Sequence, residues 1–232
     1  MFVSRWSILL FVIAALSLSC SKGGQPSNQP SAPPSVVTSY PPFKTREPET
    51  YQAVRSVSFT PGDTGQAVSS SITIIRDGDK RREEHNSGGK KVVYLDLPDG
   101  TYVLLPDEKI YAPAIGPAEA GSTEDGFEEA YVHTAPIQST YQNLGSETIN
   151  GTTTTKYKVT VNDTSNESVI KTETLIWIDD ALGMPVKSET RSAAGIRRME
   201  LSEISLNVNK ELFAIPGDYQ KVEMKVLQER MR

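Results

Sequence analysis

Cys20 is the single cysteine of this 232-residue chain, and it lies in the stretch ALSLSCSKGG, residues 15–24. An unpaired thiol has no disulfide partner within the chain, so in an oxidising compartment it is either modified or left reactive. The other residue types capable of chemistry are poorly placed for it. His85 and His133 each lack a second histidine or a cysteine nearby, and zinc takes three or four such ligands. Asp77 with Asp79, and Asp179 with Asp180, stand in turn-like settings. A calcium loop would need oxygen ligands at several alternate positions and a closing carboxylate. Neither a Gly-x-Ser-x-Gly elbow nor a phosphate-cradling glycine loop is present. The sequence predicts no catalytic residue, no metal site, no cofactor and no enzyme activity.

The surroundings of Cys20 give its thiol a use. Arg5 precedes an apolar run from Trp6 to Leu18, which is broken only by Ser7 and Ser17. A helix spanning a bilayer needs ~20 apolar residues. This run is shorter and has a basic start and small residues at its end, as a secretory signal does. Ser19 directly before Cys20 resembles the lipobox of bacterial lipoproteins, although Ser17 stands where that family usually carries Leu. The resemblance implies that residues 1–19 are removed and that Cys20 is lipidated. A membrane is then a partner through the N-terminal lipid. Each buried methylene contributes ~0.8 kcal/mol, and two or more chains make attachment stable. Ser21, where inner-membrane lipoproteins of enteric bacteria often carry Asp, points to the outer membrane, facing the periplasm.

Composition divides the rest of the chain. Seven of the 15 prolines fall within residues 21–48, among Ser, Gln, Asn and Gly. Such a stretch buries too little apolar surface to fold alone. Residues 20–48 therefore read as a lipidated, disordered tether, residues 49–222 as one folded domain, and residues 223–232 as a charged tail. The formal net charge is −5, and no basic stripe stands out. Nucleic acid is therefore excluded as a partner, since binding to phosphates needs clustered Lys and Arg.

The domain has a period of two, which is the signature of strands. In TTTTKYKVTVND, residues Thr153, Thr155, Tyr157, Val159 and Val161 share one face. In AVSSSITIIRDG, Val68, Ile72 and Ile74 do the same, and Asp77-Gly78 marks a tight turn. DKRREEH then reads as a charged, exposed strand, with edge protection as one use for its charges. KKVVYLDL and TYVLL flank a hairpin at Pro98-Asp99-Gly100. Further strands are expected at 51–60, 167–179, 184–191 and 196–208. ESVIKTETLIWIDD turns apolar on both faces, so both should be covered. A change of phase in GIRRMELSEISLNV predicts a bulge near Ser202–Glu203. Helix signals are few. Ser122 with Asp125 predicts one short helix. Pro136 opens a possible second, with Ile137, Tyr141 and Leu144 on one side and Gly145 as its stop. The expected fold class is mainly β (α+β).

Three pieces in order then carry a resemblance: NLGSETINGTTTTKYKV, ETLIWIDDALGMPVKSET and ELFAIPGDYQKV. Together they are similar to the LolA/LolB-like half-barrel superfamily, the lipoprotein carrier and sorting proteins of the Gram-negative envelope. The resemblance spans roughly Tyr51 to Val222. It implies a single curved antiparallel sheet, left open, with one or two short helices covering the concave face. It also implies a ligand there, the acyl chains of a lipid or lipoprotein. If such a ligand binds here, its lining should come from Val57, Phe59, Ile72, Ile74, Tyr157 and Val159. Two alternatives stand beside this reading. These residues could pack as core and leave no open cavity, and the chain could be a non-catalytic interaction or sensor module that binds an envelope protein.

Overall fold

The computed structural model describes residues 37–44, 47–62, 65–114, 138–163 and 170–232. Cys20, the segment read as a signal, His133 and the helix expected from Ser122 lie outside the described residues. The described chain forms thirteen strands: β1 (Val37–Thr38), β2 (Thr50–Pro61), β3 (Val68–Asp77), β4 (Lys80–Ser87), β5 (Lys90–Leu97), β6 (Gly100–Leu105), β7 (Ile110–Pro113), β8 (Gln138–Ile149), β9 (Thr152–Asp163), β10 (Ile170–Asp179), β11 (Met184–Ser192), β12 (Gly195–Ser205) and β13 (Gln220–Lys221). A 3₁₀ turn at Lys210–Phe213 and one helix, α1 (Met224–Met231), complete it.

All thirteen strands make one curved sheet that does not close into a barrel, in the order β1-β8-β9-β10-β11-β12-β2-β3-β4-β5-β6-β7-β13. The hairpins follow the sequence, and β12 returns to lie beside β2, joining the two halves. Every pairing is antiparallel except that of β13 with β7. Turn chemistry sets the hairpins. Gly78 has φ 64° between β3 and β4. The Asp179 carboxylate accepts the N–H groups of Ala181 and Leu182 at 2.9 and 3.0 Å, and Gly183 takes φ 72° before β11. Both are settings in which a side-chain acceptor or a missing Cβ removes the cost of the turn.

Register divides the side chains between two faces. On one, called the inner face here, β2 places Tyr51, Ala53, Arg55, Val57 and Phe59, and their partners on β3 are Arg76, Ile74, Ile72, Ser70 and Val68. The same face continues through Glu83 and His85 of β4 to Tyr94 and Val92 of β5. In the other direction it runs through Met199 and Leu201 of β12 to Ile176, Tyr157, Val159 and Tyr141. The opposite, outer face is covered over β3, β5 and β6 by the chain that follows β12. There Val208 and Phe213 pack with Ile75, Val93, Leu95 and Leu104. Arg82, also buried, fixes that covering segment: its guanidinium donates to the Leu212 carbonyl at 3.0 Å and to Glu84 at 2.8 Å.

Several expectations meet the structure directly. The bulge lies where the phase changes: the β12–β2 register shifts between Ser202 and Ser205, and Glu203 has φ 54°. Ile176, Trp177 and Ile178 are buried on both faces of β10. The Trp177 indole donates to Glu147 at 2.8 Å, and the ammonium groups of Lys156 and Lys187 sit 4.6 and 4.8 Å from its ring centroid. Trp177 also packs in an apolar cluster with Ile149, Met184 and Val186, so that side is covered by side chains of the sheet itself.

Other expectations are corrected. Residues 138–149 are strand β8, not a second helix; the spacing of Tyr141 and Leu144 also fits a strand interrupted by a bulge. That bulge lies between Asn143 and Ser146, where Gly145 takes φ 95° and donates its N–H to the Asn143 side chain. Gly145 therefore marks an irregularity in a strand and not a helix stop. The charged strand β4 is no edge: it lies between β3 and β5, with Arg82 buried and Arg81, Glu83 and His85 half-buried. The helix that does form, α1, lies in the segment read as a tail. Its Leu227 is fully buried against Val92, Val103, Leu105 and Ala112 on the inner face. Part of the segment read as a tether also joins the fold. Val37 and Thr38 pair with β8, and the Phe43 ring lies 5.8 Å from Tyr141 and 5.2 Å from Tyr157.

Candidate functional site: a cavity on the inner face

Where β12, β2, β3, β4 and β5 cross beneath the end of α1, the inner face holds a cavity of about 330 Å³. β2 supplies Arg55 and Val57, and β3 supplies Ser70, Ser71 and Ile72. His85 and Asn86 come from β4, Val92 and Tyr94 from β5, Arg197 from β12, and Met231 from the last turn of α1. The apolar walls are Val57, Ile72, Val92 and Met231. Ser70 and Arg197 are exposed on the inner face, whereas Ser71 and Asn86, by register, turn their side chains to the outer face. Arg55 is only 6% exposed.

The six residues expected to line a ligand site all fall on the inner face, but they do not converge. Val57 and Ile72 line the cavity. Phe59 lies one inner-face position beyond Val57; it is 38% exposed and paired with the exposed Val68. Ile74 is buried in a cluster with Tyr51, Ala53 and Leu201. Tyr157 and Val159 are buried with Tyr141, Ile176 and Ile178. Their strand lies four strand spacings from β2, a distance of about 19 Å.

The cavity's polar residues were not singled out from sequence. Arg55 had a visible signal, since it interrupts the apolar phase Tyr51, Ala53, Val57, Phe59 of its strand. His85 had none, because its burial follows from β4 being internal.

An ion-pair chain runs along the inner face beside the cavity. Glu47 pairs with Arg81 at 2.7 Å, Arg81 with Glu83 at 2.8 Å, and His85 Nε2 lies 3.3 Å from Glu83 Oε2. Burial alone would raise the Glu83 carboxyl. The His85 hydrogen bond and the nearby Arg81 charge overturn that and hold it down at about 2. Burial, followed by the Glu47 charge, pushes the Tyr51 phenol well above its ordinary value, so it stays neutral. The His85 ring also stands edge-on to Tyr94 at 5.0 Å, which orients both side chains at the cavity wall.

The paired acids serve turns. Asp77 accepts the Thr50 hydroxyl at 3.2 Å, and Asp180 accepts that of Thr155 at 2.9 Å. Among the described residues, no group of three or more His, Cys, Asp or Glu is placed to hold a metal ion. Nor is any described helix long and apolar enough to cross a membrane.

No family model matches the sequence, and no curated protein does. Solved structures with a similar sheet include the lipoprotein LppX of Mycobacterium tuberculosis: 16% identical, covering 68% of this chain and 88% of that one, TM-score 0.40. LprF of Mycobacterium bovis is 14% identical, covering 74% and 90%, with a TM-score of 0.42. A LolA superfamily protein of Nitrosomonas europaea is 13% identical, covering 73% and 92%, with a TM-score of 0.34.

Proposed function

We propose that this chain is a lipid-anchored protein of the bacterial envelope, at the outer membrane, that binds the acyl chain of a lipid or lipoprotein in the inner-face cavity. It acts as a carrier or receptor and not as a catalyst. The observation behind this reading is the cavity itself, which is walled by Val57, Ile72, Val92 and Met231 and lies within the usual size range of ligand sites. Water occupies roughly 30 Å³ in the liquid, so a cavity of this volume accommodates on the order of ten groups the size of a methylene. Burying each one contributes ~0.8 kcal/mol, enough for binding that a membrane or partner can reverse. The anchor at Cys20 would keep the cavity near the bilayer that supplies the chain, in keeping with a part in lipoprotein sorting or transport.

Native mass spectrometry on the protein purified from the envelope tests this reading. A co-purifying mass that extracts into organic solvent and matches an acyl chain supports it. A clean mass that stays clean after incubation with phospholipid vesicles refutes it. That result would turn attention to the second reading, a module that binds an envelope protein. The exposed pair Phe59 and Val68 on the inner face is the observation that favours this alternative.

A further inference from the structure

We infer that residues 37–44 hold a second ligand subsite closed, with Phe43 in the place of one acyl chain of a two-chain lipid. This rests on the acyl-chain reading and adds to it the number of chains bound and the segment that controls access. On the inner face of β8, β9 and β10, Tyr141, Tyr157, Val159, Ile176 and Ile178 form a buried apolar cluster. The opposite face of β9 carries Lys156, Lys158 and Thr160, as a strand turned to water does. Among the described residues, Phe43 is the one from outside the sheet that packs against this cluster. Its ring stands edge-on to Tyr141 and tilted against Tyr157.

The segment that carries Phe43 is lightly fastened. β1 gives it two residues of pairing, Val37 with Gln142 and Thr38 with Tyr141, at the edge of the sheet. Pro41 and Pro42 have no N–H and cannot extend that ladder. Val37 is 60% and Tyr40 82% exposed, and the Thr38 hydroxyl donates to the Tyr40 carbonyl, within the segment itself. The chain beyond is held firmly. The Glu47 carboxylate pairs with Arg81 at 2.7 Å, and the Glu49 carbonyl accepts the Gly78 N–H at 2.7 Å. Residues 37–44 can therefore lift while β2 stays in register.

Room points the same way. The cavity of about 330 Å³ has space for on the order of ten methylene-sized groups, which suits one chain and leaves none for the second chain of a membrane lipid. The nearest strands of the two sites, β10 and β12, are two spacings apart, about 10 Å. Ile176 of β10 and Met199 and Leu201 of β12 are apolar inner-face positions along that path. Two chains splayed from one headgroup span it. A chain entering beneath the lifted segment replaces the contacts of Phe43 with its own, so the cluster stays shielded from water in both states.

The test uses the purified protein with dioctanoyl phosphatidylcholine and monooctanoyl lysophosphatidylcholine, which share a headgroup and differ by one chain. Isothermal titration calorimetry below the micelle concentrations gives the affinities. Phe43→Ala should tighten binding of the two-chain lipid at least about tenfold and change that of the one-chain lipid by less than about twofold. Circular dichroism checks that the variant folds. Hydrogen exchange of the unaltered protein is a second readout. The two-chain lipid at saturation should quicken exchange in residues 37–44, and the one-chain lipid should not. Equal effects of Phe43→Ala on both lipids, or none on either, overturn the inference and leave the acyl-chain reading standing. Two-chain binding that leaves exchange in residues 37–44 unchanged does the same. Binding of neither lipid by either protein overturns both.

Discussion

His85 Nε2 lies 3.3 Å from Glu83 Oε2, and the two side chains leave the same face of β4 from alternate positions. Glu83 also accepts from Arg81 at 2.8 Å, so one carboxylate joins the ion-pair chain to the cavity wall. Its folded value of about 2 lies below the ordinary 4.5. A depressed carboxylate stabilises the fold above its unfolded value, and that stabilisation is lost as pH falls through the folded value. Stability should therefore decline between about pH 4.5 and 2, with at most about 3 kcal/mol attributable to this group. Urea unfolding at pH 7, 4 and 2.5 measures it. Glu83→Gln should be less stable at pH 7 and show a flatter decline. An unchanged slope would assign the acid sensitivity to other carboxylates.

Arg82 predicts a local effect on the outer face. Arg82→Leu removes the donor to the Leu212 carbonyl and leaves that group without its partner. Losing a buried charge-assisted hydrogen bond costs roughly 1–3 kcal/mol. Amide exchange should quicken in the covering segment, residues 206–219, while β8, β9 and β10 keep their protection. Uniform acceleration across the sheet would instead mean that the covering segment and the sheet open as one unit.

What the sequence disclosed follows from the range of the interactions involved. The alternation in β9 named Tyr157 and Val159 as inward-facing because strand parity is a local property. The bulge near Ser202–Glu203 was legible for the same reason, since a phase change is written in the residues themselves. Strand order is not local. Nothing in DKRREEH says that β3 and β5 flank it, so its charges read as solvated when they in fact form the ion-pair chain. The same limit applies to the cavity. All six candidate lining residues share the inner face, but which of them face open space depends on where α1 lies. The charges of α1 suggested a tail, while its Leu227 alone supplies the fully buried anchor. In β8, a short helical spacing and a glycine imitated a helix because a bulge breaks the period-two pattern there.

Lipidation at Cys20 makes a prediction independent of the cavity. Cells grown with an alkyne-bearing fatty acid should label the wild-type protein and not Cys20→Ser. The wild type should fractionate with membranes, and the variant should lose that attachment or keep its uncut signal segment. Equal labelling of both would remove the thiol as the attachment point and with it the lipobox reading.

The strongest contrast lies between two residues of the same sheet face. Ile72 is half-buried and lines the cavity, whereas Tyr157 is buried in a separate cluster four strand spacings from β2. Ile72→Trp adds bulk where there is space to receive it, so the fold should survive with stability changed by no more than about 1–3 kcal/mol. Acyl-chain binding should fall at least tenfold, because the indole occupies the volume the chain would take. Tyr157→Ala removes a large ring from a packed cluster and should cost about 3–5 kcal/mol. Binding per folded molecule should stay close to the wild-type value, since the cavity is untouched. Calorimetric titration corrected for the folded fraction separates the two effects. The opposite pattern, with binding lost in Tyr157→Ala and kept in Ile72→Trp, would move the ligand site to the β8–β10 half of the sheet.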